Sequence, residues 1–524
     1  MTESVEHTKY SKPLIFLTSI SFLGVGCVLK LNSDKISKSL VFISQLDLKL
    51  TTNSSIIQKS SSNTQFLPPF PPYNSPELQN PTIYGINDFY TQRETNTSTK
   101  PAFFSTKTTN PTILFYNNPW MGFPPRSYKL CGPEFTCNVK TSKSPEELRN
   151  ADAVIVHPVF TKLEDQKGSI FRDFISKVRT ERQMYLFLQW ESPEFHTGDY
   201  REFNNFFNAT LTYRQDSSFL FPYDSIVGLK LRAYFEEKTR KKLGLGDFTN
   251  ITIEQLYKNP ERARILDENF IKIPRKEKLF GVAAVVSNCR SPYRSNTIKK
   301  LNKLLKNPDG TPALNYMGRC DLLDKAGNAR GAKVYKKFKT GSGFAGLYKL
   351  AMRHKFFLSI ENSRCRYYIT EKFFENALLA GSVPIVAGAP RVDYEMIAPK
   401  SSFIHVDDFS SLEDLAGYVN YLMVNETAYN EYFNWWDSSK ISSDFRLSNI
   451  EDYKKSGFCK LCSVLKDINS GKGRHWPAIE NFQKYWYGSD QGTSYKSTCR
   501  RVRGEGHDKI RWRRDLSLLS DLFY

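Results

Sequence analysis

Residues 357–388 constrain the fold of this chain most, because they read as a strand, a polar loop, a helix and a second strand in direct succession. An apolar run with aromatic and β-branched residues stands at the start of this stretch. Thr370 occupies the place of a helix start, and Gly381 ends the periodic segment before the apolar run that begins at Val383. The pattern predicts a βαβ unit of a parallel α/β sheet.

The first turn of the predicted helix carries Glu371 and Lys372. In a βαβ unit, ligands lie off the carboxyl ends of the strands, where backbone N–H groups and the positive end of the helix attract phosphate. A lysine is poorly placed for the helix dipole at this end, so Lys372 suggests an anionic ligand. Glu371 could accept hydrogen bonds from ribose or sugar hydroxyls. A solvated Glu/Lys pair would explain the same two residues without any ligand.

The length of 524 residues is too great for one ordinary core, which predicts two folded domains with accessory segments. We place an amino-terminal α/β domain at residues 111–271, because short apolar runs alternate there with polar, helix-compatible segments. A second α/β domain is expected at residues 278–440, which open with another buried-strand run. Residues 441–524 hold Cys459-x-x-Cys462 and a basic tail to which the sequence assigns no role.

The amino-terminal region resembles a membrane-targeting segment followed by a flexible stem. Residues 13–29 are uncharged and just long enough to cross a bilayer as a helix. We predict an uncleaved transmembrane signal anchor there, preceded by a cytosolic tail at residues 1–12, with a cleaved signal peptide as the alternative. Residues 31–110 are rich in Ser, Thr, Asn and Pro, and we expect a disordered stem.

The charge and the cysteines restrict the partners and the compartment. The formal charge of +20 is scattered over the chain, which favours general attraction to anions and argues against nucleic acid as a partner. One of the nine cysteines, Cys27, lies in the apolar segment, and the other eight predict up to four disulfides of undetermined connectivity. The CxxC pair could instead be half of a zinc site or a redox pair, although the chain has no second CxxC. The predicted N-glycosylation sites are Asn53, Asn96, Asn208, Asn250 and Asn425.

Three short motifs, ENS at residues 361–363, YITEK at 368–372 and AGSVP at 380–384, resemble the signature of the α1,3-fucosyltransferases, glycosyltransferase family 10. Further family landmarks lie on both sides of these motifs in the expected order, at residues 190–193, 208–214, 287–289 with Arg294, and 459–462. The resemblance implies an α/β fold of the GT-B type, with two facing Rossmann-like domains and a cleft between them. It also implies inverting transfer of L-fucose from GDP-fucose, without a required cofactor.

The resemblance assigns roles to five residues. Glu191 would be the catalytic base, although read alone it is a surface carboxylate before a Ser-Pro turn. Arg294 and Lys372 would neutralise the diphosphate of the donor. Tyr368 and Glu371 would hold the nucleotide sugar. The loop at residues 364–367 reads RCRY, where relatives commonly carry acidic or small residues.

Two cofactor signals are weak. Residues 341–346 fit GxGxxG, but the lysine-rich residues before them are not a buried strand, so we expect no dinucleotide. Asp407-Asp408 lacks DxD spacing, and Asp393-Tyr394-Glu395 is a poor approximation to it. We therefore predict no bound catalytic metal and leave stimulation by manganese open.

The acceptor and the location follow from the resemblance. Residues 318–320 and 381–390, with the late CxxC, look somewhat closer to relatives that fucosylate the innermost N-acetylglucosamine of glycoprotein N-glycans. The alternatives are terminal lactosamine, a protein acceptor, and a non-catalytic glycan-binding protein on the same fold. We expect a single-pass type II protein of the Golgi membrane, with its catalytic domains in the lumen.

Overall fold

The structure is a computed structural model. It describes residues 110–116, 131–157, 168–194, 200–235, 252–270, 278, 280–320, 322–323, 350–436, 457–487 and 499. All of them belong to one compact unit, residues 74–524. The predicted tail and anchor, the predicted stem before residue 110, and the GxGxxG segment lie outside the described residues. Within the described part, none of the helices combines the length and the apolar character that crossing a bilayer requires.

The first half of the molecule is built on a six-stranded sheet with the order β2-β1-β3-β4-β5-β6, and every neighbouring pair is parallel. Its strands are β1 (Thr112–Phe115), β2 (Asn138–Thr141), β3 (Ala153–Val156), β4 (Met184–Gln189), β5 (Ala209–Thr212) and β6 (Phe219–Leu220). Every residue of β3, β4 and β5 is buried, as expected where both faces of a parallel sheet are covered. The apolar runs that predicted this alternation, at residues 112–116, 153–156 and 184–189, form β1, β3 and β4 and are confirmed as strands.

The second half is built on a five-stranded parallel sheet with the order β11-β10-β9-β7-β8. Its strands are β7 (Phe280–Val286), β8 (Leu314–Gly318), β9 (His354–Ile360), β10 (Val383–Ala387) and β11 (Ile404–His405). The predicted βαβ unit at residues 357–388 is confirmed, since β9 and β10 pair in parallel at the centre of the sheet. The prediction of a parallel α/β fold is thus correct in both halves.

Helices cover the sheets and connect their strands. Those with both ends described are α1 (Pro145–Asn150), α2 (Gly168–Val178), α3 (Ile226–Phe235), α4 (Ile253–Lys258), α5 (Pro260–Phe270), α6 (Pro292–Leu304), α7 (Glu371–Phe373), α8 (Arg391–Glu395), α9 (Leu412–Val424), α10 (Glu426–Glu431), α11 (Gly457–Asn469) and α12 (Phe482–Tyr487). A π-helical turn, Phe374–Leu378, continues α7 directly. Such turns occur frequently at functional sites.

One segment packs against the sheet of the other predicted domain, and two late helices, for which no packing was predicted, pack against the first sheet. Buried residues of α3, α4 and α5 belong to the hydrophobic core of the second sheet, although the sequence boundary at residue 271 assigned them to the first domain. Conversely, α11 and α12 pack into the two cores on either face of the first sheet. Apolar periodicity shows that a helix has a buried face, but it does not show which sheet buries that face.

Four disulfides confirm the predicted structural use of the cysteines. The CxxC motif forms neither a zinc site nor an internal redox pair, because its two cysteines bond to different partners near β2. The pairs are Cys131–Cys459, Cys137–Cys462, Cys289–Cys320 and Cys365–Cys499. The first two fasten α11 to the first sheet, and the last joins the loop after β9 to a residue near the carboxyl end of the chain.

Candidate active site

The candidate site lies where the turn after β4 of the first sheet contacts the loop after β9 of the second. Glu191 lies two residues beyond the carboxyl end of β4, and Tyr368 lies in the loop that follows β9. The hydroxyl of Tyr368 donates a hydrogen bond to Oε2 of Glu191 at 2.8 Å, although 177 positions separate the two residues. Tyr368 is buried, whereas Glu191 is partly exposed. One hydrogen bond thus joins the candidate base of the first sheet to the candidate donor-binding loop of the second.

The backbone at Glu191 is fixed by its neighbours. The buried side chain of Gln189 accepts hydrogen bonds from the N–H groups of Trp190 and Glu191, both at 2.9 Å. One residue further on, the hydroxyl of Ser192 lies 2.5 Å from the hydroxyl of Ser363 in the loop of the second sheet. These contacts hold the turn after β4 against that loop, so the carboxylate of Glu191 is presented in one direction.

Tyr368 is surrounded by tyrosines of the first half of the molecule. Its ring lies 5.2 Å from that of Tyr213 and 6.4 Å from that of Tyr223, measured between centroids. Burial raises the pKa of Tyr368 well above its ordinary value, and the nearby Tyr223 and Glu191 raise this pKa further. The phenol therefore stays neutral at physiological pH and serves as a hydrogen-bond donor to the carboxylate.

The tyrosines around Tyr368 were missed as site residues in the sequence. Tyr213 directly follows β5, the neighbour of β4, so it ends at the same edge of the sheet as Glu191. That position was the available signal, because the carboxyl ends of adjacent parallel strands meet at one edge. Tyr223 lies beyond β6, and its hydroxyl donates to the backbone carbonyl of Trp190 at 2.8 Å.

Lys372 lies at the start of α7, as predicted, among oxygen acceptors. Its Nζ is 2.8 Å from Oγ1 of Thr370, 3.1 Å from Oε2 of Glu361 and 3.1 Å from Oε1 of Glu371. Burial lowers the pKa of Lys372, but the carboxylates of Glu361 and Glu371 outweigh this effect and raise the pKa above its usual value. Lys372 is therefore an ammonium group that is held in a fixed place.

Glu361 is the counter-charge that fixes Lys372, and the sequence pattern did not identify this role. Its side chain is fully buried. Besides the contact with Lys372, its carboxylate accepts hydrogen bonds from both the N–H and the hydroxyl of Thr370, at 2.8 Å each. Burial raises the pKa of Glu361 and Lys372 opposes this rise. Because three donors converge on the carboxylate, we treat the pair as a carboxylate and an ammonium.

Arg294 occupies the first turn of α6 and is buried. Its Nη2 donates to the backbone carbonyl of Asn288 at 2.6 Å, while its Nε has no hydrogen-bond partner among the described residues. Burial lowers the pKa of Arg294, and the nearby carboxylates of Glu361 and Glu371 oppose this change. A buried guanidinium with an unused N–H carries a desolvation cost, which an anion such as a phosphate group would offset.

Two of the five predicted glycosylation sites, Asn208 and Asn425, lie among the described residues. Asn208 is buried, and its side-chain nitrogen donates to the carbonyl of Trp476 at 2.8 Å, so this asparagine is not an accessible acceptor in the folded protein. The prediction for Asn208 is corrected on that ground. Asn425 caps α10 by accepting from the N–H of Ala428. Asn53, Asn96 and Asn250 lie outside the described residues.

No three His, Cys, Asp or Glu side chains gather as metal ligands would within the described ranges. Stimulation by manganese stays a prediction. A carboxylate after β4 is hydrogen-bonded to the loop that leads into α7, and α7 and α6 carry the cations Lys372 and Arg294. Such a combination suits group transfer from a phosphorylated donor.

Two family models match the chain. "Fucosyltransferase, N-terminal" matches residues 108–224, and "Glycosyltransferase family 10 (fucosyltransferase) C-term" matches residues 273–481. Alpha-(1,3)-fucosyltransferase 7 of Bos taurus is 28% identical over 367 residues, which cover 69% of this chain and 83% of the relative. The 4-galactosyl-N-acetylglucosaminide 3-alpha-L-fucosyltransferase 9 of Rattus norvegicus is 30% identical over 311 residues. These residues cover 59% of this chain and 66% of the relative. The protein is thus a glycosyltransferase.

Within that class, the chain belongs to glycosyltransferase family 10, the fucosyltransferases. The comparison with solved structures found an α1,3-fucosyltransferase with GDP-fucose, which is 15% identical. The match covers 68% of this chain and 93% of that one, with a TM-score of 0.39.

The close packing of Glu361 yields a testable prediction. A Cβ added at Gly388 would lie 2.7 Å from Cβ of Glu361, and Gly388 has a φ of +143°, which side-chain-bearing residues rarely adopt. We expect Gly388→Ala to lower the free energy of unfolding by about 1–3 kcal/mol, measured by denaturant titration. Gly417→Ala is the matched control, because a Cβ there meets nothing within 4 Å. Equal stability of the two variants would contradict this packing.

Proposed function

We propose that the protein transfers L-fucose from GDP-fucose to O3 of an N-acetylglucosamine, with inversion at the anomeric carbon. The observation that carries the proposal is the hydrogen bond between Tyr368 and Glu191, which brings the carboxylate of the first sheet to the basic site of the second. Membership of the fucosyltransferase family supports fucose as the transferred group. The two fixed cations, Lys372 and Arg294, support a diphosphate donor.

The proposed reaction is a single displacement. Glu191 accepts the proton of the acceptor hydroxyl as that oxygen forms a bond to the anomeric carbon of fucose. The bond between the anomeric carbon and the diphosphate oxygen breaks in the same step, and GDP leaves with the electron pair. Negative charge grows on the diphosphate as the bond breaks, and Lys372 and Arg294 stabilise it by ionic hydrogen bonds.

Glu361 and Glu371 complete the donor side. Glu361 holds the ammonium of Lys372 by an ion pair, so this cation needs little rearrangement when a diphosphate binds. Glu371 is more exposed than Glu361 and also contacts Lys372, which leaves its second carboxylate oxygen for a sugar or ribose hydroxyl. This is the role that the family resemblance implies for Glu371.

For the acceptor, we favour the N-acetylglucosamine of a terminal lactosamine over the innermost N-acetylglucosamine of an N-glycan. One relative is named as a fucosyltransferase of a 4-galactosyl-N-acetylglucosaminide, which is a lactosamine unit. The earlier preference for the core sugar rested on residues 318–320 and 381–390, and the similar proteins support the alternative better. A purely glycan-binding protein would have no need of Glu191, Arg294 and Lys372 in these positions.

We also propose the Golgi membrane as the location, with the catalytic half in the lumen and residues 13–29 as the anchor. Four disulfides support an oxidising compartment, because cytosolic proteins rarely retain them. A protease-protection assay on intact vesicles tests this orientation.

Fucosyl transfer itself is tested by offering the protein GDP-fucose with two acceptors in parallel, a terminal lactosamine and an N-glycan core glycopeptide. We expect product on the lactosamine, with the linkage at O3 of N-acetylglucosamine. Product only on the glycopeptide would favour the innermost N-acetylglucosamine of N-glycans as the acceptor. No transfer to either, despite GDP binding, would favour a protein acceptor or a glycan-binding role.

The role of Glu191 predicts a separation of binding from turnover. Glu191→Gln removes the proton acceptor but keeps the size of the side chain, so we expect kcat to fall by about 10²–10⁴-fold with GDP affinity nearly unchanged. Steady-state kinetics and calorimetry with GDP measure the two quantities. Glu413→Gln on the exposed surface of α9 is the matched control. Retention of turnover in Glu191→Gln would refute the assignment.

The role of Lys372 predicts a loss of affinity for GDP, in contrast to Glu191→Gln. Lys372→Ala removes a charged hydrogen-bond donor worth about 1.5–3 kcal/mol, so GDP affinity should fall roughly 10–100-fold. Lys400→Ala is the control, because Lys400 is largely exposed and pairs with Glu395. Calorimetry with GDP alone isolates binding from chemistry. Unchanged GDP affinity in Lys372→Ala would remove this lysine from the donor site.

A further inference from the structure

The residue immediately before Tyr368 has a backbone conformation that calls for an explanation. Tyr367 has a φ of +62°, the left-handed region that bulky side chains rarely adopt because Cβ crowds the backbone. Such strain persists only where the surroundings compensate for it, and it is concentrated at functional sites. Tyr367 belongs to the RCRY stretch in which this chain departs from the usual family pattern.

The compensation comes from a buried carboxylate on another element. The side chain of Asp393, in α8, is fully buried. Its Oδ2 accepts the backbone N–H of Tyr367 at 2.6 Å, and its two oxygens lie 3.0 and 3.1 Å from Nε of Arg366. Nη2 of Arg366 completes the fork at 2.9 Å from Oδ1. Within the described residues, every hydrogen bond of this carboxylate goes to Arg366 or Tyr367.

Arg366 holds the same residue from its other side. Its guanidinium lies over the ring of Tyr367, with 4.6 Å between Cζ and the ring centroid, and Nη2 donates to the phenol oxygen at 3.1 Å. Asp393 therefore controls the backbone of Tyr367 directly and its ring through Arg366. The left-handed turn at Tyr367 sets the direction in which the chain continues to Tyr368.

We propose that Asp393 is a positioning residue of the transfer site. By holding Arg366 and the N–H of Tyr367, it fixes the left-handed turn that brings the hydroxyl of Tyr368 onto Glu191. The inference rests on the proposed function, in which Glu191 is the base. Asp393 acts through the loop and does not itself contact the reacting atoms.

The site has a second set of supports that this clamp does not include. Lys372 is held by Glu361 and Thr370, neither of which forms a hydrogen bond or ion pair with Asp393 among the described residues. Loss of the clamp should therefore misplace Tyr368 and Glu191 without disturbing the diphosphate site. A general loosening of the fold would instead weaken both GDP binding and turnover.

The test is a rescue experiment on the full-length protein. Asp393→Ala should lower kcat by about tenfold or more, with GDP affinity unchanged. Adding Tyr367→Gly should restore most of the loss, because glycine adopts a positive φ at no steric cost. Adding Tyr367→Ala is the matched control, since it removes the same ring but keeps the backbone penalty, and it should restore nothing.

Thermal unfolding of each variant shows whether it is folded. If Asp393→Ala does not fold, Asp393→Asn replaces it, because asparagine keeps one acceptor for the N–H of Tyr367 and loses only the ionic fork. An undiminished kcat in the Asp393 variant overturns the inference, as does equal rescue by glycine and alanine. Absence of transfer by the unmodified protein overturns the proposed function first, and this inference with it.

Discussion

The hydrogen bond from Tyr368 to Glu191 is the contact on which the functional account depends. The two residues come from different parallel sheets, and each alone would be unremarkable in its own half of the molecule. Because a catalytic base can act only close to the sugar donor, the proposed role of Glu191 requires that the turn after β4 and the loop after β9 stay in contact. The contact between Ser192 and Ser363 and the aromatic contact between Tyr213 and Tyr368 reinforce the same junction.

Behind the residues that would contact substrate lies a layer of buried carboxylates. Glu361 fixes Lys372, and Asp393 fixes Arg366 and the turn at Tyr367. A buried carboxylate costs free energy unless donors surround it, and both carboxylates are surrounded. Each therefore exchanges some stability for a defined geometry, which a site that must align a base, an acceptor and a donor requires.

The sequence predicted those parts of the molecule whose signals are local. The βαβ unit could be recognised because its strands are continuously apolar and its helix start is marked by Thr370. The roles expected for Tyr368, Glu371 and Lys372 rested on a family-like motif inside that unit, and those of Glu191 and Arg294 on separate family landmarks. Long-range partners could not be read in this way. Neither the packing of α3 on the second sheet nor the bond of Cys365 to Cys499 leaves a periodic trace. The burial of Glu361 could not be predicted either. The ENS motif is polar and suggests a solvent-exposed loop, and the packing of Gly388 against Glu361 is visible only in the structure.

The most direct test of the junction is the kinetic comparison of Tyr368→Phe with the unmodified protein. This change removes only the hydroxyl that donates to Glu191, a hydrogen bond to a charged group worth about 1.5–3 kcal/mol. We predict a fall in kcat of about tenfold or more, with unchanged affinity for GDP. An unchanged kcat would contradict it, and a loss of GDP-fucose affinity at constant kcat would place the hydroxyl on the donor instead of on the base.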